Sequence, residues 1–291
     1  MDAVASRAPR ATLQESELTA GTRIEPGRRY GFFTDTTRCI GCKACEVACK
    51  EWNALPSDGL QMSGMSYDNT RALSATTWRH VSFVEQIDRS GPGPIEMPPY
   101  QSHWLMMSDV CKHCANAACL QACPTGALFR TEFDTVVVQQ DICNGCGYCV
   151  PACPFGVVDL SELDGKAHKC TLCYDRLKGG LEPACAKSCP TDSIQFGELD
   201  DLHKRAHERV EKLHEQGVTT AYLYGVPGGP GATGDMGHLN AFFLLTDRPE
   251  RYNLPSAPTR PANRVGPSLL TGLAAVAGLA LTAFAAFGRR A

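Results

Sequence analysis

Sixteen cysteines in four groups of four, all between residues 39 and 189 of a 291-residue chain, constrain this sequence more than any other feature. Each must be disulfide-bonded, metal-bound or a free thiol, and the spacing decides which. The first group, Cys39, Cys42, Cys45 and Cys49, is a CxxCxxCxxxC run, and the third, Cys143, Cys146, Cys149 and Cys153, repeats it. The second, Cys111, Cys114, Cys119 and Cys123, and the fourth, Cys170, Cys173, Cys185 and Cys189, each widen one gap but keep the final CxxxC. Four-cysteine zinc sites space their CxxC pairs apart and have no use for a triple run. Cysteines three apart in a tight run bridge poorly to another group, and Met1 to Tyr30, with Arg7, Arg10, Glu15, Glu17 and Arg23, has no apolar export signal, so disulfides are not expected either.

The runs fit the [4Fe-4S] cubane. Three thiolates two residues apart wrap three iron corners, while the fourth cysteine is carried onward to the other cluster of a pair, as in bacterial ferredoxins. Four groups of four therefore imply four clusters, with no thiol left for catalysis. Pro124, Pro154 and Pro190 follow the last cysteine of three groups, where a fixed φ and a missing N–H help the chain turn off the cluster; the first group has Lys50 there. Gly41, Ala44, Ala115, Ala118, Gly145 and Gly147 leave room for backbone amides to approach the inorganic sulfides. Lys43, Lys112, Lys169 and Lys187 adjoin cluster cysteines, where a positive charge would favour the reduced cluster or simply face solvent. His113 and His168 sit in the same neighbourhood and read as polar neighbours of complete sites.

The rest of the chain frames this chemistry. A formal net charge of −3 removes the basic excess a nucleic-acid binder needs, so the expected partners are proteins and a membrane, with no nucleic acid. Residues 53–102 insert between the first two groups; Trp78 to Val84 alternates in strand fashion ahead of a Gly91-Pro92-Gly93-Pro94 turn. Leu199, Leu202, Ala206, Val210 and Leu213 recur at helical steps before Gly217 and predict an amphipathic helix on the core. Gly229-Pro230-Gly231-Ala232-Thr233-Gly234 matches GxGxxG formally, but without a buried strand before it or an amphipathic helix after it, and reads as loop. Arg28-Arg29 precedes Thr34-Asp35-Thr36-Thr37 and not an apolar stretch, so it is no twin-arginine signal. Leu269 to Phe287 is an uncharged apolar run; at 1.5 Å per residue it spans about 30 Å, the hydrocarbon thickness of a bilayer, and predicts a transmembrane helix.

Several motifs carry a closer resemblance. Cys39-Ile40-Gly41-Cys42-Lys43-Ala44-Cys45 with Cys49-Lys50-Glu51-Trp52-Asn53, Tyr67-Asp68-Asn69, Leu73-Ser74-Ala75, Asn144 to Cys149, Lys169 to Cys173 and Glu182-Pro183-Ala184-Cys185 resemble the iron-sulfur (beta) subunit of membrane-bound respiratory formate dehydrogenase. The resemblance covers about residues 30 to 288 and is weakest at the amino-terminal extension and the loop near 230. It implies electron transfer from formate, oxidised at a molybdenum or tungsten pterin in a separate catalytic (alpha) subunit, to a cytochrome b (gamma) membrane subunit and quinone. The same cysteine plan would serve a membrane hydrogenase or another molybdopterin oxidoreductase.

The expected fold is α+β: two nested ferredoxin-like modules, each holding two [4Fe-4S] clusters, plus one C-terminal transmembrane helix. The expected organisation is an extension over 1–30, an outer module over 31–110 and 160–198, an inner module over 111–159, a helix and linker over 199–265, and the membrane helix over 266–288. Crossed ligation then predicts four sets: Cys39, Cys42, Cys45 with Cys189; Cys170, Cys173, Cys185 with Cys49; Cys111, Cys114, Cys119 with Cys153; and Cys143, Cys146, Cys149 with Cys123. Arg289 and Arg290 flank one end of the helix and Arg260 and Arg264 the other, so charge alone does not orient it. The resemblance implies a cluster domain outside the cytoplasm.

Overall fold

The computed structural model describes residues 24–59, 64, 67–86, 103–232 and 235–287. Its organising element is a four-stranded sheet of β1 (Tyr30–Asp35), β8 (Ile194–Glu198), β9 (Tyr222–Tyr224) and β10 (Ala241–Leu245) in the order β8-β1-β10-β9. β1 runs parallel to β10, with Phe32 opposite Ala241, and antiparallel to β8, with Phe32 opposite Phe196. β1 is buried along its whole length, as a central strand covered on both faces should be.

The period-two alternation of side chains sorts these strands onto two layers. On one face Phe33, Phe242 and Leu244 meet Leu199, Leu202, Ala206 and Leu213 of helix α6 (Leu199–Glu215), the stripe read from the sequence. Asp200 and Asp201 in its first turn and Lys212 and His214 in its last complement the helix dipole. On the other face Tyr30, Phe32 and Ala241 join the main core, which also contains Cys45, Cys111, Cys119, Cys149, Cys170 and Cys185. The cysteines are therefore part of the hydrophobic interior.

The remaining elements are short and surround that core. Hairpins β2 (Arg79–Gln86) with β3 (His103–Val110), β4 (Leu128–Arg130) with β5 (Val136–Val138), and β6 (Asp159–Leu160) with β7 (Ala167–His168) are all antiparallel. Five short helices carry cysteines or follow them: α1 (Ala44–Asn53), α2 (Ala118–Ala122), α3 (Cys149–Ala152), α4 (Tyr174–Lys178) and α5 (Ala184–Lys187). Among these, α1 packs on α5 and α2 on α3. The strand expected from Trp78 to Val84 is present as β2, and the turn expected at Gly91 to Pro94 lies outside the described residues.

Two features differ from the sequence reading. The stretch 199–265, read as helix and linker, also contributes β9 and β10 to the central sheet. Ala241-Phe242-Phe243-Leu244-Leu245 is apolar at every position because both faces are covered, so it lacks the alternation that marks a half-buried strand. The terminal helix α7 (Ala262–Phe287) begins before the apolar run and holds Pro267 inside it, where the missing N–H removes one bond to the preceding turn. Val265–Ala285 of α7 is long and apolar enough to cross a membrane, and none of it is buried against the rest of the described residues.

Candidate metal centres

The cysteines sit where the chain changes direction. Cys45 and Cys49 lie on α1, Cys119 on α2 and Cys149 at the start of α3, while Cys123 and Cys153 cap α2 and α3. The CxxxC spacing thus becomes one helical turn, which offsets the two thiols along the axis by about 6 Å. Ahead of each helix the loop is held in left-handed conformations at Gly41, Lys43, His113, Gly145, Gly147, Leu172 and Cys173. At Gly145 this has a steric reason as well: a Cβ there would lie 2.3 Å from the carbonyl oxygen of Gly165. Gly145→Ala should therefore lower stability by about 1–3 kcal/mol and loosen the Cys143 to Cys149 loop, read as a lower unfolding midpoint and reduced iron content.

Cys39, Cys42, Cys45 and Cys189 line one small cavity, and Cys111, Cys114, Cys119 and Cys153 line another. The Cys49 thiol interacts electrostatically with Cys170, Cys185 and Cys173, and Cys149 with Cys123, Cys143 and Cys146. Each of these neighbourhoods joins thiols of two different cysteine groups. Further couplings run between them: Cys45 with Cys185, Cys170 with Cys111, and Cys119 with Cys149. Cys42 and Cys146 are exposed, whereas Cys49, Cys170, Cys173, Cys185, Cys111 and Cys119 are buried.

None of the sixteen is paired in a disulfide. Burial pushes Cys45, Cys119 and Cys170 up to about 12, so at neutral pH each would hold its proton unless a metal displaced it. Among the described residues no three His, Cys, Asp or Glu side chains converge closely enough for a single metal ion. A cubane, with a thiolate on each corner, holds its ligands further apart than one ion does. Donors point at the sulfurs: Leu172 N–H to Cys170 Sγ at 3.3 Å, Ala167 N–H to Cys143 Sγ at 3.5 Å, and the Asn53 amide to Cys49 Sγ at 3.6 Å. Buried polar atoms beside the thiols also lack a protein partner, namely Nε and Nη2 of Arg79 and Nε2 of His113. Sulfur-rich clusters supply acceptors for such donors.

The cations read from the sequence separate into two kinds. Lys112 and Lys169 are fully buried, whereas Lys187 is exposed and Lys43 pairs with Asp68 at 3.3 Å. Lys169 donates to the carbonyls of Val136 and Cys170, and Lys112 to Asp109 and the carbonyl of Val110, between the rings of Phe155 and Phe243. Burial, with Lys169, Arg130 and Arg79 nearby, holds His113 well below its ordinary value, so it is neutral. Its Nδ1 accepts from Val136 N–H at 3.0 Å, which assigns the proton to Nε2. His168 lies on the periphery against Asp164. Arg79, which sequence reasoning did not single out, is the largest fully buried side chain among the described residues.

Known proteins share this cysteine plan. A 4Fe-4S dicluster domain profile matches residues 38–127 and a second matches residues 102–199. Over 231 residues the chain is 40% identical to a formate dehydrogenase iron-sulfur subunit of Haemophilus influenzae, covering 77% of this chain and 68% of that protein. The chain belongs to the family of formate dehydrogenase iron-sulfur subunits. Its similarity to the nitrate-inducible formate dehydrogenase iron-sulfur subunit of Escherichia coli is also 40%, over 77% of this chain and 71% of the relative. The B subunit of anaerobic dimethyl sulfoxide reductase from the same organism is 36% identical over 61% of this chain and 77% of its own length. As a member of this family the protein is an electron-transfer subunit, and its two dicluster domains and sixteen cysteines hold four [4Fe-4S] clusters. The Trp52-Asn53 pair that marked the family in the sequence has a role beside the Cys49 thiol. Asn53 donates to the Cys49 carbonyl at 2.8 Å, and Trp52 Nε1 donates to Asp175 while its ring lies under Arg176.

Proposed function

We propose that this chain is the conduit of a membrane-bound formate dehydrogenase, carrying electrons from a separate molybdenum or tungsten pterin catalytic subunit to a cytochrome b subunit and quinone. When bound, each [4Fe-4S] cluster accepts and releases one electron. The ligand sets are Cys39, Cys42, Cys45, Cys189; Cys170, Cys173, Cys185, Cys49; Cys111, Cys114, Cys119, Cys153; and Cys143, Cys146, Cys149, Cys123, in that spatial series. The observation that carries this reading is the pair of cavities in which Cys189 joins Cys39, Cys42 and Cys45 and Cys153 joins Cys111, Cys114 and Cys119, and the proximity of Cys45 to Cys185, Cys170 to Cys111 and Cys119 to Cys149 supports the series. The terminal sets are also the ones with an exposed cysteine, Cys42 and Cys146, where an electron can enter or leave. Two clusters per module, one module nested in the other, is supported by the packing of α1 on α5 and of α2 on α3. The protein's own contribution is to keep the inner sets dry and to supply N–H donors and buried cations to the sulfurs.

Helix α7 is read as a single-pass anchor, supported by its exposed apolar surface from Val265 to Ala285. The extracytoplasmic orientation of the cluster domain rests on the family resemblance, because the flanking arginines balance. Digestion of the cluster domain by protease added to wall-stripped cells is the result this orientation requires; protection until the membrane is broken reverses it.

Formate added anaerobically to the purified complex should reduce all four clusters, seen by electron paramagnetic resonance, while the isolated chain stays oxidised. A complex inert to formate, or an isolated chain reduced by it, refutes the reading. The likeness to the dimethyl sulfoxide reductase subunit supports a second reading, the same conduit feeding a reductase. Dimethyl sulfoxide would then reoxidise the prereduced clusters of the complex.

A further inference from the structure

Arg79 opens strand β2, in the segment inserted between the first two cysteine groups, opposite Val110 of β3. It is 1% exposed, and its guanidinium rests 4.8 Å from the centroid of the Phe32 ring. Nη1 donates to Ser108 Oγ at 3.0 Å and more weakly to the Ser108 carbonyl at 3.4 Å. Ser108 Oγ lies 3.2 Å from Cys45 Sγ; since it accepts from Arg79, its own proton is left for that sulfur. Nε and Nη2 are buried with no nitrogen or oxygen partner, the guanidinium lies against the Cys185 thiol, and no carboxylate among the described residues forms an ion pair with this side chain. An unpaired buried guanidinium is one of the costliest arrangements in a protein interior, so something anionic must face it.

The groups that face it are thiols of two different ligand sets. Cys185, Cys45, Cys170 and Cys49 lie close enough for their charges to act on it, Cys185 within hydrogen-bonding reach. Cys45 belongs to the set of Cys39, Cys42 and Cys189, and the other three to the adjacent set. Lys112 and Lys169 differ in that their ammonium groups are already occupied by carbonyls or a carboxylate. Among these three buried cations, only Arg79 has two donors to spare and reaches both sets.

We propose that Arg79 is the shared counter-ion of the two adjacent clusters held by Cys45 and by Cys49, Cys170 and Cys185, donating Nε–H and Nη2–H to their sulfur atoms and raising both reduction potentials. This rests on the ligand sets proposed above. Adding an electron makes a cluster more negative, and a fixed positive charge in a low-dielectric interior favours that state. Because one guanidinium serves two clusters, it holds their potentials up together and keeps the step between them near level. The inserted hairpin thereby acquires an electrostatic task, and Arg79 is a positioning residue for electrons.

Redox titration of the intact complex, followed by electron paramagnetic resonance, tests this with Arg79→Gln and Arg79→Lys. Four clusters remaining in the variants would leave the ligand reading intact. Arg79→Gln should then lower the reduction equilibrium constant of two clusters at least tenfold, about 59 mV for a one-electron couple, and leave the other two unmoved. Arg79→Lys keeps the charge, loses the fork and should shift the same two by less. Unchanged potentials in Arg79→Gln, an equal shift of all four clusters, or loss of clusters from both variants would overturn the proposal, the last by making Arg79 a purely structural residue.

Discussion

Replacing Cys170 with serine should break electron flow through the subunit while leaving the catalytic partner able to oxidise formate with an artificial acceptor. Cys170 is buried in the main core, and its thiol interacts electrostatically both with Cys185 of its own proposed set and with Cys111 of the next. A serine hydroxyl is a poor ligand for iron at neutral pH, so the second set would lose a corner and with it the cluster. In a series, loss of one inner site interrupts the whole. Formate-to-quinone flux should fall by more than the roughly 10–100-fold that loss of an outer contact costs. Formate-to-dye turnover in the same preparation is the control, and iron content should drop by one cluster. Unchanged quinone reduction with that cluster missing would mean that the four sets are not a series.

If α7 is the anchor proposed above, removing it should leave the chain soluble without touching its clusters. Leu269, Leu270, Leu273, Leu279, Leu281 and Phe284 are each at least 62% exposed, and nothing in the described residues covers them. Each such residue favours insertion at the centre of a bilayer by about 0.3–0.6 kcal/mol, and the charged groups that would oppose it are absent from the run. Since α7 gives nothing to the core, a chain ending at Arg260 and expressed without its partners should sediment with soluble protein and keep its full iron content. A truncated chain that still pellets with membranes under the same conditions would show that another surface does the anchoring.

How much of this was legible in the sequence depends on the range over which each signal acts. The cysteine runs and the stripe Leu199, Leu202, Ala206 and Leu213 are local patterns, and each appears where its spacing says. The central sheet is a different case. Nothing near Tyr30 announces that its strand lies parallel to Ala241–Leu245, because that pairing is decided by what is buried on both faces. Burial of charge is equally non-local. Lys112, Lys169 and Lys187 occupy equivalent places beside cysteines, yet two are interior and one is exposed, according to whether Val136, Val110 or solvent stands opposite. Arg79 carried no signal at all, since an arginine at the head of a polar-looking strand ordinarily faces water.

The parallel pairing of Phe32 with Ala241 also orders the events of biosynthesis. A ribosome making this chain releases β1 first, then every cysteine group, and only afterwards the strand that β1 needs on its second edge. The amino-terminal strand must wait, one side unsatisfied, until almost the whole soluble part has emerged. Closing so long a loop is slow, and an open edge beside reactive thiols is prone to wrong partners in the meantime. Behind β10 the chain runs on into the apolar segment Val265–Ala285. A cell producing this protein has to protect an unfinished, thiol-rich polypeptide until β10 has been made.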